Sequence, residues 1–171
     1  MDNQSSPPRD RYPQGFSMGF WGRLFRSPSK TIDHPVLGRV TWEPRSGWHV
    51  DEVSPIGCRG KPSLSLAGCG EGPLPECVAT YQRLREDWSS IGTKAAADIF
   101  ELNQNYFSDE PARGMRSAAE VWDNSELLAI SIRAEGEFAL TYRFDWQAQS
   151  DGHEVTMFFE NWVPAGSSVD G

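Results

Sequence analysis

Apolar residues recur along this chain in two rhythms. Between residues 75 and 107 they follow the period of a helix. Cys77, Tyr81, Leu84, Trp88 and Ile91 fall 4, 3, 4 and 3 positions apart, and Ala95, Ile99, Leu102 and Tyr106 fall 4, 3 and 4 apart. Charged side chains such as Arg83, Arg85, Glu86 and Asp87 lie off the first stripe. Pro75 suits a first helical turn, and Gly92 followed by Thr93 reads as a break and a new cap. A helical pair is therefore expected, with Phe107 at its end and "SAAEVW" as a further short helical turn.

In the last third the period drops to two. Leu128, Ile130 and Ile132 alternate with Ala129, Ser131 and Arg133, and Phe138, Leu140, Tyr142, Phe144 and Trp146 alternate with polar or small residues. Val155, Met157 and Phe159 repeat the pattern, with Phe158 as the exception. Three amphipathic antiparallel strands follow. A three-residue turn at Ala134-Glu135-Gly136 keeps the apolar positions on one face, puts Gly136 in the left-handed position of a bulged turn and pairs Arg133 with Glu137.

The stretch "DWQAQSDGHEVTMFFENW" carries the next hairpin. Its simplest register pairs 146 with 153, 144 with 155, 142 with 157 and 140 with 159, with Asp151-Gly152 as the turn signal. That places His153 inward beside Trp146 and sets Asp145 opposite Glu154 on the outer face. Alternation thus separates the imidazole from both carboxylates, against a His–carboxylate catalytic or metal cluster. Like charges directly opposite repel. Either Arg143 offsets them diagonally, or the register slips by two and pairs Arg143 with Glu154, or the two carboxylates form a site with one raised pKa.

Earlier in the chain, "LGRVTWEPRSGWHVDEV" reads as a hairpin in which Trp42 pairs with Trp48, and Leu64 and Leu66 mark a short strand. Residues 68–75 read as a Gly/Pro loop. Residues 1–30 are expected to be a disordered or loosely attached extension, residues 31–165 a single α+β domain, and residues 166–171 a flexible tail. Phe20, Trp21, Leu24 and Phe25 have helical spacing and offer weak membrane-surface attachment. The expected fold is a meandering antiparallel sheet of about five or six strands, with the helical pair inserted after the third strand and packed on one face.

Charge narrows the partners. Residues 1–30 carry five basic and two acidic side chains, so in a chain of net charge −8 the remainder carries −11. A phosphate backbone needs a basic face, which speaks against nucleic acid. An acidic domain is suited to meeting a basic protein. Cys58, Cys69 and Cys77 are odd in number and form no CxxC, which suits a reducing cytoplasm and provides no zinc set. GxSxG, P-loop, GxGxxG-after-strand and HExxH patterns are absent from the sequence. No cofactor or metal is expected.

Taken in order, "HPVLGRVTW", "GWHV", "ECVATYQRLREDWSSI", "LNQNYF", "ELLAISIRAEGEFALTYRFDW" and "DGHEVTMFFENW" resemble a group of bacterial domains of unknown function. Their pattern is "FG.l.w", a helical pair ending in an aromatic, then "i.l.y" and "GH.i.v". The resemblance spans about residues 33–163. This chain departs from it where Val36-Leu37-Gly38 stands for Phe-Gly. Such domains are often immunity proteins that neutralise polymorphic toxins. The resemblance therefore implies a non-enzymatic cytoplasmic binding protein but transfers no site residues. The candidate binding residues, Asp145, Glu154, Phe158 and Trp162, come from the hairpin's outward carboxylates and from aromatics that could form an exposed patch. A cytosolic adaptor and a paired-carboxylate hydrolase are the alternatives.

Overall fold

The computed structural model describes residues 29–44, 46–53, 59–106, 117–144 and 154–170. Eight strands form one mixed sheet: β1 (Lys30–His34), β2 (Gly38–Glu43), β3 (Gly47–Val50), β4 (Ser63–Leu66), β7 (Ser125–Ala134), β8 (Glu137–Phe144), β9 (Glu154–Glu160) and β10 (Val163–Asp170), side by side in chain order. The gap in numbering is filled by a two-stranded hairpin, β5 (Gly68–Cys69) and β6 (Gly72–Pro73), and by three helices. These are α1 (Pro75–Glu86), α2 (Trp88–Tyr106) and α3 (Ala118–Asp123).

The α+β class holds, but the sheet is larger than the five or six strands expected and is not wholly antiparallel. β4 and β7 run parallel, Leu64 beside Ile130 and Leu66 beside Ile132. The cause is the helical insertion. It carries the chain from one end of the sheet back to the other, as a parallel connection requires. The two strands at the sheet's edges, β1 and β10, were not expected as strands, and β10 takes in residues read from sequence as the domain end and tail.

One face of the sheet is apolar. A row runs across it through Trp48, Leu66, Ile132, Phe138 and Phe159, and the next through Leu64, Ile130, Leu140 and Met157. All nine are 4% exposed or less. Burying each large side chain contributes roughly 1.5–3 kcal/mol before the entropy of ordering it. The helical stripes meet these rows: Cys77, Tyr81, Leu84, Trp88, Ile91, Ala95 and Ile99 all belong to the same core, with Leu102 half-buried against it.

Gly92 does not end a helix. The break comes at Asp87, whose N–H donates to the Arg83 carbonyl and whose own carbonyl accepts from Ser90 and Ile91. Asp87 thus closes α1 and opens α2, a position that suits aspartate. Gly92 lies inside α2 because Trp122 needs the space. A Cβ there would sit 2.5 Å from the indole ring. Thr93, expected as a cap, donates its hydroxyl to the Ser89 carbonyl one turn back. The short α3 is capped by Ser117, whose hydroxyl accepts the Glu120 N–H.

The first hairpin has the expected register, Trp42 opposite Trp48. In the β7–β8 hairpin, Gly136 is left-handed, with φ of 68°, and Ile132 and Leu140 face inward. Arg133 does not pair with Glu137, however. It is bulged out, and Ala134 takes that place. A second irregularity at Leu128 turns Leu127 into the core instead. The β8–β9 register slips by two from the simplest expectation: Tyr142 pairs with Val155, Leu140 with Met157 and Arg143 with Glu154. No helix among the described residues is long and apolar enough to cross a membrane.

Candidate binding surface at the β9–β10 corner

The outer face of the sheet carries small and polar residues. One row crosses all eight strands: Thr31, Thr41, His49, Ser65, Ser131, Ala139, Phe158 and Gly166. The hydroxyls of Thr31 and Thr41 lie 3.3 Å apart, and those of Thr141 and Thr156 3.1 Å apart. Phe158 is the large apolar residue in this row. Its strand neighbours, Ala139 on β8 and Gly166 on β10, rise too little to cover it. Phe158 is 38% exposed, and Val163 on β10 is 58% exposed. These two are the exposed large hydrophobic residues among those described.

Charge gathers beside them. Val163 pairs with Glu160, and one step beyond the Phe138–Phe159 pair Glu160 lies across from Glu137. Cross-strand carboxylates repel, and neither makes an ion pair among the described residues. Between them the sheet has a shallow depression of about 140 Å³, lined by Ser131, Arg133, Glu137, Ala139, Phe158 and Glu160, among others. Arg133 reaches it because its bulge turns it out of the ladder.

The corner is held from below by Trp162. Asn161 and Trp162 form the two-residue β9–β10 turn with φ of 50° and 67°. Both left-handed residues are what a type I′ hairpin turn requires, and Asn favours it. Trp in that conformation costs about 1–2 kcal/mol. Three contacts offset the cost. The Arg83 guanidinium lies 4.2 Å from the indole centroid, the Phe138 ring packs at 5.4 Å, and the backbone N–H of Trp162 donates to the Gly136 carbonyl at 3.3 Å. At the neighbouring β7–β8 turn, the buried Thr80 hydroxyl accepts the Gly136 N–H and donates to the Ala134 carbonyl. α1 and two hairpin turns are thereby clasped together.

The four residues singled out from sequence are not brought to one place. Phe158 is exposed on the outer face, and Trp162 is half-buried in the clasp at the same corner. Glu154 is exposed at the other end of β9, opposite Arg143 in the ladder, and the Arg143 guanidinium bonds the Glu126 carboxylate at 2.7 Å. Asp145, with Trp146 and His153, lies outside the described residues, as do Phe20, Trp21, Leu24 and Phe25. Sequence reasoning missed Val163, Glu137 and Glu160. The "NW" dipeptide was the available signal, since Asn opening a two-residue turn implies a following strand.

Elsewhere, a second hollow of about 580 Å³ opens between the helices, with Trp88, Ala96, Ala118 and Trp122 among its walls. Burial pushes the Cys77 thiol up from its usual range, which keeps it protonated and unreactive at neutral pH. Cys69 is exposed. Among the described residues no group of three or more His, Cys, Asp or Glu side chains is placed to hold a metal ion. Compared with protein-family models, curated proteins and solved structures, the chain matches none.

Proposed function

We propose that this chain is a non-enzymatic protein-binding domain that engages a basic partner through the β9–β10 corner. In its most concrete form it is a cytoplasmic immunity protein whose acidic surface occludes a toxin domain. The observation that carries this reading is the placing of Phe158 and Val163, exposed, beside Glu137 and Glu160, which line one depression with Arg133 and form no ion pair among the described residues. An apolar anchor ringed by charge is the usual make-up of a recognition patch, and the surrounding −11 charge steers a basic protein toward it. The sequence resemblance to immunity-type domains points the same way. An adaptor would use the same surface for a different partner.

A hydrolase built on Asp145 and Glu154 has less behind it, because Glu154 faces Arg143 across the strand pair. The test is direct. The products of the genes flanking this one are purified and titrated calorimetrically against the chain at low and high salt. The reading expects one of them to bind, more weakly at high salt, and Phe158→Ser with Glu160→Lys to weaken binding at least about a hundredfold, the cost of losing one anchor and one close charge pair. Binding that ignores both substitutions, or no binding by any flanking product, would overturn it.

A further inference from the structure

We propose that the outer edge of β10 accepts an extended segment of the basic partner as a ninth strand, with an apolar side chain seated over Gly166 against Phe158 and a Lys or Arg two residues later reaching Glu160 in the field of Glu137. This deepens the binding reading above and rests on it.

The two edges of the sheet differ. β1 is five residues long and carries Lys30 and Asp33, and Lys30 is tied back to the Gly70 carbonyl at 2.9 Å. Charges and short length are how proteins blunt an edge. β10 is eight residues long and uncharged from Val163 to Val169. Among the described residues only β9 pairs with it. Val163, Ala165, Gly166 and Ser167 are exposed. Beyond Pro164, which has no N–H to offer, alternate backbone groups of residues 165–169 point away from β9 and have no strand partner among the described residues.

The side chains beside this edge specify what such a strand carries. Neighbouring strands lie about 4.8 Å apart, so a residue opposite Gly166 looks across an empty position onto Phe158. A Cβ at Gly166 would meet nothing within 4 Å, which leaves that space to the newcomer. The next outward position of the newcomer lies opposite Val163, past which a long side chain reaches Glu160, with Glu137 one strand further on. Two carboxylates share this depression with the single cation Arg133 and form no ion pair among the described residues, which favours a further cation there. The bulge between Pro164 and Gly166 keeps the two positions in step with Phe158 and Glu160. A regular antiparallel newcomer therefore follows the order of β9, apolar-x-basic.

The probe is the synthetic peptide acetyl-TVTFTKT-amide, titrated into the nitrogen-15-labelled full chain, with acetyl-TVTFTET-amide as its control. The expected result is saturable amide shifts concentrated at Ser167, Ser168 and Val169, roughly tenfold weaker for the Glu peptide. In the chain carrying Glu137→Lys and Glu160→Lys the preference between the peptides should invert, a result that loss of folding cannot mimic. Three results would overturn the proposal: no shifts on β10 at millimolar peptide, equal affinity for both peptides, or peptide-free shifts on β10 that grow with protein concentration, which would make the occupant a second copy. If a flanking gene product binds while the β10 amides stay unprotected, this inference fails and the binding reading stands.

Discussion

Each half of the sheet is covered by a tryptophan lying on a glycine, and the two contacts are built to different tolerances. In the first half, Trp48 of β3 is wholly buried beneath the β5–β6 hairpin. Its indole N–H donates to the Cys69 carbonyl at 2.8 Å. Gly68 comes so close that a Cβ would sit 2.6 Å from the ring and 2.5 Å from the Gly72 carbonyl oxygen. In the second half, Trp122 of α3 covers Gly92 of α2, but it is only half-buried and borders the open hollow between the helices. Its neighbour Trp88, ring centroids 5.6 Å apart, is buried, and its indole N–H has no acceptor among the described residues. Where the β5–β6 hairpin lies over β3, the fold closes with a tight hydrogen-bonded lock. Where α3 meets α2, the contact is looser and borders open space.

The largest effect should come from removing the tight lock. Trp48→Ala should cost about 3–5 kcal/mol, seen as a lower urea midpoint, because the cavity left beneath a hairpin of glycines has little to collapse into it. Glycine replacements should rank the same way. Gly68→Ala forces backbone as well as ring to move and should cost about 2–3 kcal/mol. Gly92→Ala displaces only the far edge of an indole and regains about 1 kcal/mol of helix propensity, so its net cost should be nearer 1 kcal/mol. Equal costs would show that the two contacts are equivalent. The indole nitrogens sharpen the contrast further. Trp48→Phe strands the Cys69 carbonyl and should cost about 2 kcal/mol, whereas Trp88→Phe removes a donor that has no acceptor and should stay within about 1 kcal/mol. Thermal melts of the pair decide it.

The tight lock was half visible in the sequence. Trp48 fell on the apolar face of its hairpin by alternation alone, and the pairing with Trp42 followed from turn length. Its cover did not, because β5 and β6 are two residues each and read as loop. The helical stripes were legible for the opposite reason: they are long and strictly periodic. Three other features lay beyond the pattern for physical causes. A slip of two between β8 and β9 leaves every side chain on its face, so alternation cannot choose between registers. "LL" at 127–128 fits either face, so the bulge that buries Leu127 leaves no trace. The edge strands β1 and β10 have one neighbour each and need few apolar residues, so "VPAGSSVD" resembles a tail. The candidate surface inherits this. Phe158 stood out by breaking its alternation, but Val163 and the carboxylate pair belong to strand neighbours that only the folded sheet reveals.

The smallest effect concerns charge in the loosely locked half. Asp98 lies partly buried on α2, and its carboxyl is held above its ordinary value, first by desolvation and then by the charge of Glu101. A raised carboxylate pKa means that the folded chain binds this proton more tightly than the unfolded one. Stability therefore falls as pH rises through the interval between the unfolded and folded values, and the full cost is present at neutral pH. Asp98→Asn removes that cost, so at pH 7 the variant should be the more stable by a small margin. The margin should shrink on acidification and vanish below the ordinary carboxylate range, where both chains are neutral at this position. Urea midpoints measured from pH 3 to pH 7 follow it. A variant less stable at every pH would mean that Asp98 is held by a favourable contact, and that this half of the molecule is packed more closely than the Trp122–Gly92 contact implies.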